Sequence, residues 1–169
     1  FNAAATQNVP VAEIAQYADT VQFCLSKGLA APVGSMLTGP ADFIARAREI
    51  RRMVGGAMRQ SGVIAAAGIV ALTEMVERLP EDHARARRLA QGFDELPGMS
   101  VDLGAVQTNI IFFKTEPLVP HLEFIERLKR EGVLVSNYGD RGLRMLTHYQ
   151  IDDAAVDQAI RAAARALRG

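Results

Sequence analysis

At 169 residues the chain is long enough for one domain, or for a large piece and a small one, and it can bury a real core without disulfides or metal. Nineteen basic residues balance nineteen acidic ones, so the net charge of +0 offers no particular grip to nucleic acid or to an anionic membrane, and neither is expected as a partner. A hydrophobic fraction of 49% excludes wholesale disorder, the lone Cys24 excludes an internal disulfide, and Cys24 with His83, His121 and His148 has no zinc-ligand spacing, so no metal is expected.

The chain opens on Phe1 with no basic, signal-like start, and reads as a segment that begins inside a longer protein or as a processed chain. A β-rich run over 20–25 and a second over 33–38 alternate only weakly, which suggests strands covered on both faces. Gly39-Pro40 opens an amphipathic helix that carries Phe43, Ile44, Ala47, Ile50 and Val54 on one side. Gly55-Gly56 ends it. A second helix is expected from 58 to 79, and its apolar first half should be enclosed. Its longest nearly unbroken apolar stretch, 62–72, is well short of the roughly 18 residues of a membrane span. After Pro80 a third helix is expected over 81–95, with Arg85, Arg87 and Arg88 as a solvated face.

Leu96-Pro97-Gly98 is the expected domain boundary. Beyond it come a strand over 106–114, a helix over 120–131 capped by Gly132, strands over 133–136 and 142–149, and a last helix N-capped by Asp152. The order β-α-β-β-α suggests helices on one face of an antiparallel sheet.

Lysine is scarce: Lys27, Lys114 and Lys129 are the three. Lys27 ends an apolar strand in a loop with Gly28, Pro32 and Gly34, a setting that suits either a surface lysine or a carbonyl-attacking amine. Arg59 lies between Gly55-Gly56 and an apolar helix, where it either solvates a helix end or grips an anion. Arg144 sits in a strand between Leu143 and Met145, so it needs a partner, whether Asp140, Glu131 or a ligand carboxylate. His148, four residues on, is read as structural rather than as part of a site, as is His83. Asn109 is expected to satisfy nearby backbone, and Cys24 to pack. No dinucleotide or nucleotide-triphosphate loop is present.

The run Phe23-Cys24-Leu25-Ser26-Lys27-Gly28-Leu29, continuing through Ala31-Pro32-Val33-Gly34-Ser35, resembles the cofactor-lysine segment of low-specificity L-threonine / L-allo-threonine aldolases. Further matches follow in order: Gly55-Gly56-Ala57-Met58-Arg59-Gln60, Ala65-Ala66-Ala67-Gly68, Glu81-Asp82-His83, Gln107-Thr108-Asn109 and Arg144-Met145-Leu146-Thr147-His148. The resemblance spans nearly the whole chain. It implies an α/β protein, the C-terminal half of a fold-type I pyridoxal-phosphate enzyme. Residues 1–98 would end the large domain, with its mostly parallel sheet, and 99–169 would form a small C-terminal α+β domain.

The resemblance further implies a cytoplasmic lyase with pyridoxal 5'-phosphate as cofactor, cleaving β-hydroxy-α-amino acids to glycine and an aldehyde. Lys27 would be the Schiff-base lysine, Arg59 would hold the cofactor phosphate, and Arg144 would clamp the substrate carboxylate. In the family, a His-Leu-Asp-Gly-Ala-Arg segment precedes the position matching Phe1, so the partner implied is the N-terminal half of the same enzyme, in a homodimer or homotetramer. Another lyase or a hydroxymethyltransferase of this fold, and a non-catalytic fragment, stand as alternatives. Ala30 and Ala57 depart from glycines usual in the family, which matters only where φ is positive.

Overall fold

The computed structural model describes residues 1–115 and 117–168, and the chain falls into two compact units, Phe1–Leu79 and the residues from Pro80 onward. The division lies well before the boundary expected at 98. Helix 79–94 directs Ala86, Leu89, Ala90 and Phe93 into the core of the sheet that follows, so it belongs with the second unit rather than closing the first.

The first unit begins with two short helices, α1 (Asn2–Gln7) and α2 (Val11–Ala15). Strands β1 (Val21–Cys24) and β2 (Ser35–Thr38) then pair antiparallel, Val21 opposite Thr38 and Cys24 opposite Ser35. These two strands therefore display no parallel pairing themselves. Helix α3 (Ala41–Met53) ends in a Schellman motif. Gly56 N–H donates to Arg51 at 2.7 Å and Gly55 N–H to Arg52 at 3.2 Å. The two glycines have separate reasons: Gly55 takes φ +80, and a Cβ on Gly56 would meet Arg51 Cγ at 2.9 Å.

Helix α4 (Gly62–Thr73) starts later and ends earlier than its apolar pattern suggests. Gln60 adopts φ +51, which interrupts the helix upstream, and residues 74–78 turn before the next helix. The expected enclosure is not found, for only Gly68 and Ala71 are buried, while Val63 and Ile69 stand exposed. Likewise β2 is exposed throughout rather than covered on both faces. The unit's core is small: Leu25, Leu29, Ala31, Ala71 and Leu79, with Phe1, Phe23 and Val76 against it. An element that is apolar all round needs neighbours on every side, and this core reaches one.

The second unit is built on helix α5 (Leu79–Asp94), which tolerates Pro80 in its first turn because the missing N–H would have no intrahelical acceptor there. Strands β3 (Ser100–Val101), β4 (Ile110–Lys114), β5 (Ser136–Asn137) and β6 (Leu143–Leu146) form an antiparallel sheet in the order β3-β4-β6-β5. Helix α6 (His121–Arg130) ends at Gly132, with Val133 N–H donating to Leu128 at 3.0 Å and Val133 packed in the core. Because Val133 completes that cap, β5 begins three residues later than expected.

Helix α7 (Asp153–Arg168) is N-capped by Asp152, whose carboxylate accepts from Ala155 N–H at 2.8 Å. Ile111, Phe113 and Leu143 on one sheet face share a core with α5, α6 and α7, so all three helices lie on that face, as the element order suggested. The arginines of α5 do more than face water. Arg85 pairs with Glu81 and Asp153, Arg88 pairs with Asp157 on α7, and Arg87 donates to the Val106 carbonyl at 3.0 Å.

Candidate active site

Lys27 stands at the tip of a pinned loop. Leu25 N–H donates to Gly34, Ala30 N–H to Lys27 at 2.9 Å, and Ala31 N–H back to Leu25 at 3.0 Å. Leu25, Leu29 and Ala31 are buried beneath, so the backbone is fixed while the Lys27 side chain is exposed. Among the described residues no carboxylate pairs with it. The turn requires Ala30 at φ +60, whereas Ala57 is not among the positive-φ residues. Of the two departures from glycine, therefore, only the one beside the lysine carries strain.

Arg59 follows Gly55-Gly56 in the exposed turn before α4, and Ser61 at the N-cap makes no side-chain capping bond. Its guanidinium has no carboxylate partner among the described residues. Lys27 and Arg59 occupy separate loops of the first unit. Arg144 belongs to the second.

On β6, Arg144 lies opposite Phe112 of β4 and Ser136 of β5, so all three share the sheet face away from the helices. The internal ion pairs that could have occupied Arg144 are not formed. Glu131 instead accepts two hydrogen bonds from Arg165, at 2.6 and 2.9 Å, and these hold its carboxyl below the usual carboxylate range. No described carboxylate pairs with Arg144, and its Nε is buried without an acceptor. The guanidinium lies 4.3 Å from the centre of the Tyr138 ring. Tyr138 in turn meets Phe112 edge-on at 5.7 Å, and Arg141 lies 4.4 Å from the Phe112 ring centre. Sequence spacing gave no sign of this aromatic pair, because the contact joins a turn to a strand far away in the chain.

The remaining candidates have structural work. His148 lies beyond the end of β6, so strand alternation with Arg144 does not apply to it; its Nδ1 accepts from Gln150 N–H at 3.3 Å, closing a turn. Burial lowers the His83 pKa against the opposing pull of Asp82. Asn109 and Thr147 exchange hydrogen bonds at 2.8 and 2.9 Å, as expected of an amide satisfying backbone. Thr147 Oγ1, buried, donates to the Asp82 carbonyl at 2.6 Å. Cys24 accepts weakly from Ser35 Oγ at 3.5 Å.

Residues 1–116 match the family model of beta-eliminating lyases. The chain belongs to that family. Two curated relatives are similar over most of it. One, assigned as low-specificity L-threonine aldolase 2 of Arabidopsis thaliana, is 43% identical across 95% of this chain and 46% of its own. The low specificity L-threonine aldolase of Escherichia coli K12 is 41% identical across 89% of this chain and 44% of its own. The chain thus spans about half the length of the curated relatives it matches.

A Listeria monocytogenes structure assigned as an L-allo-threonine aldolase superposes with a TM-score of 0.75 at 16% identity, across 96% of this chain and 48% of that one. At that identity the likeness speaks for fold alone, and the fold is that of fold-type I pyridoxal-phosphate enzymes, as expected. Among the described residues no helix is long and apolar enough to cross a membrane.

Proposed function

We propose that this chain is the C-terminal half of a pyridoxal-phosphate-dependent aldolase that cleaves L-threonine or L-allo-threonine to glycine and acetaldehyde, and related β-hydroxy-α-amino acids to glycine and other aldehydes. The observation that carries the reading is the 43% and 41% identity to relatives bearing that name, across nearly all of this chain. The residues present fit the cofactor and substrate. Among the described residues, Lys27 offers an amine on a fixed loop with no ion-pair partner, Arg59 is a cation without a carboxylate beside a helix start, and Arg144 keeps its fork clear of carboxylates.

In this reading Lys27 binds the cofactor through Nζ, and Arg59 holds its phosphate. Arg144 takes the substrate α-carboxylate in a bidentate grip and thereby orients the Cα–Cβ bond. When bound, the cofactor supplies a sink for the electron pair left at Cα. The same proposal includes the N-terminal half of the enzyme as a necessary partner, assembly as a homodimer or homotetramer, and a cytoplasmic location.

The experiment is product analysis of the holoenzyme with L-threonine and no folate. Glycine and acetaldehyde in equal amounts support the aldolase reading. The family model's description favours one second reading, β-elimination, which would release a keto acid and ammonia instead. No turnover by the complete assembled protein would favour a non-catalytic role.

A further inference from the structure

A guanidinium on a sheet face is costly to desolvate unless something compensates the charge. Among the described residues, what compensates Arg144 is a ring, not a carboxylate: Tyr138 lies 4.3 Å away, and Glu131 is committed to Arg165. The two forms of support differ in what they leave free. An ion pair uses the N–H edge of the guanidinium, the same edge a carboxylate ligand needs. A ring attracts the flat face and leaves that edge available.

Tyr138 is itself held in place. Its N–H donates to the Gly142 carbonyl at 2.8 Å, and its ring meets Phe112 at 5.7 Å with the planes 81° apart. Phe112 is the cross-strand neighbour of Arg144, so the register of β4 against β6 sets that ring beside the guanidinium, while Tyr138 directly follows β5, which pairs with β6 on its other edge. Gly142 makes the approach possible. It takes φ +88, and a Cβ there would lie 2.5 Å from the Phe113 carbonyl oxygen.

We propose that Tyr138 is a positioning residue for Arg144, its ring fixing the guanidinium so that one orientation of a substrate carboxylate is accepted. The proposal rests on the reading of Arg144 as the carboxylate clamp. Its test compares Tyr138→Phe, Tyr138→Leu, Tyr138→Gln and Arg144→Leu in the holoenzyme. Steady-state kinetics with L-threonine are measured alongside substrate-free crystal structures of the Tyr138 variants.

Tyr138→Phe keeps the ring and is expected to hold KM within about twofold of wild type. The two ringless variants lose it, and are expected to raise KM by about 2- to 30-fold, with kcat changed less, the range a cation–π contact provides. In their crystal structures the Arg144 guanidinium leaves its place. Normal KM in either folded ringless variant, or an unmoved guanidinium, overturns the proposal. Should Arg144→Leu leave KM unchanged, the clamp reading fails and takes this proposal with it. If Arg144→Leu raises KM while the ringless variants do not, only the role of Tyr138 falls.

Discussion

Replacing Ala30 tests whether the loop that presents Lys27 is strained as well as fixed. Ala30 holds φ +60, where an L-residue costs roughly 1–2 kcal/mol relative to the right-handed region. The residue cannot relax without losing the bonds that shape the loop, Ala30 N–H to Lys27 at 2.9 Å and Ala31 N–H to Leu25 at 3.0 Å. Glycine removes the strain but frees the unfolded chain, which takes back roughly 0.4–1 kcal/mol. The net expectation for Ala30→Gly is a gain between about 0 and 1.5 kcal/mol. Ala30→Val goes the other way, by roughly 1–3 kcal/mol, because a β-branched side chain fits positive φ worse than alanine does. Thermal unfolding of the holoenzyme, followed by circular dichroism for both variants, gives the comparison. A lower Tm for Ala30→Gly, or an unchanged Tm for Ala30→Val, would show that Ala30 is not strained.

Gly142→Ala should destabilise by at least about 2 kcal/mol, since φ +88 and a Cβ 2.5 Å from the Phe113 carbonyl oxygen act together; denaturant unfolding measures it, and a neutral result would count against the turn geometry. Arg144→Leu should lower kcat/KM for L-threonine by about 10- to 150-fold, the range for a hydrogen bond to a charged group, as read by steady-state kinetics. Burial lowers the His83 pKa, so the unfolded chain binds the extra proton first. Stability should therefore fall as pH drops through about 6.5 and level off once the folded imidazole is protonated too. A His83→Gln variant should lose that component of the Tm–pH profile, and an unaltered profile would contradict the assignment.

Local signals in the sequence were reliable where the local chain decides the outcome. Asp152 caps α7 and Gly132 ends α6. What the sequence hid was long-range. The Leu96-Pro97-Gly98 turn resembles a boundary, yet Phe93 packs edge-on against Phe113 at 4.9 Å and ties α5 to the later sheet. The even hydrophobicity of α4 marks a helix, but the enclosure it suggested is not found, because periodicity cannot say whether this chain supplies the covering layers. Arg85 and Arg88 look like a solvated stripe until α7 brings Asp153 and Asp157 opposite them. Of the candidate residues, Lys27, Arg59 and Arg144 were each legible as cations at a strand end, a helix start and a strand interior. The Tyr138 ring was not, since a turn residue reveals its partner only through strand register.

Lys27 is proposed to carry the cofactor. Borohydride reduction of the holoenzyme, followed by proteolysis and peptide mapping by mass spectrometry, tests it most directly. A single pyridoxyl-phosphate adduct is expected on the peptide containing Lys27, and none in a Lys27→Ala protein. An adduct on any other lysine would contradict it.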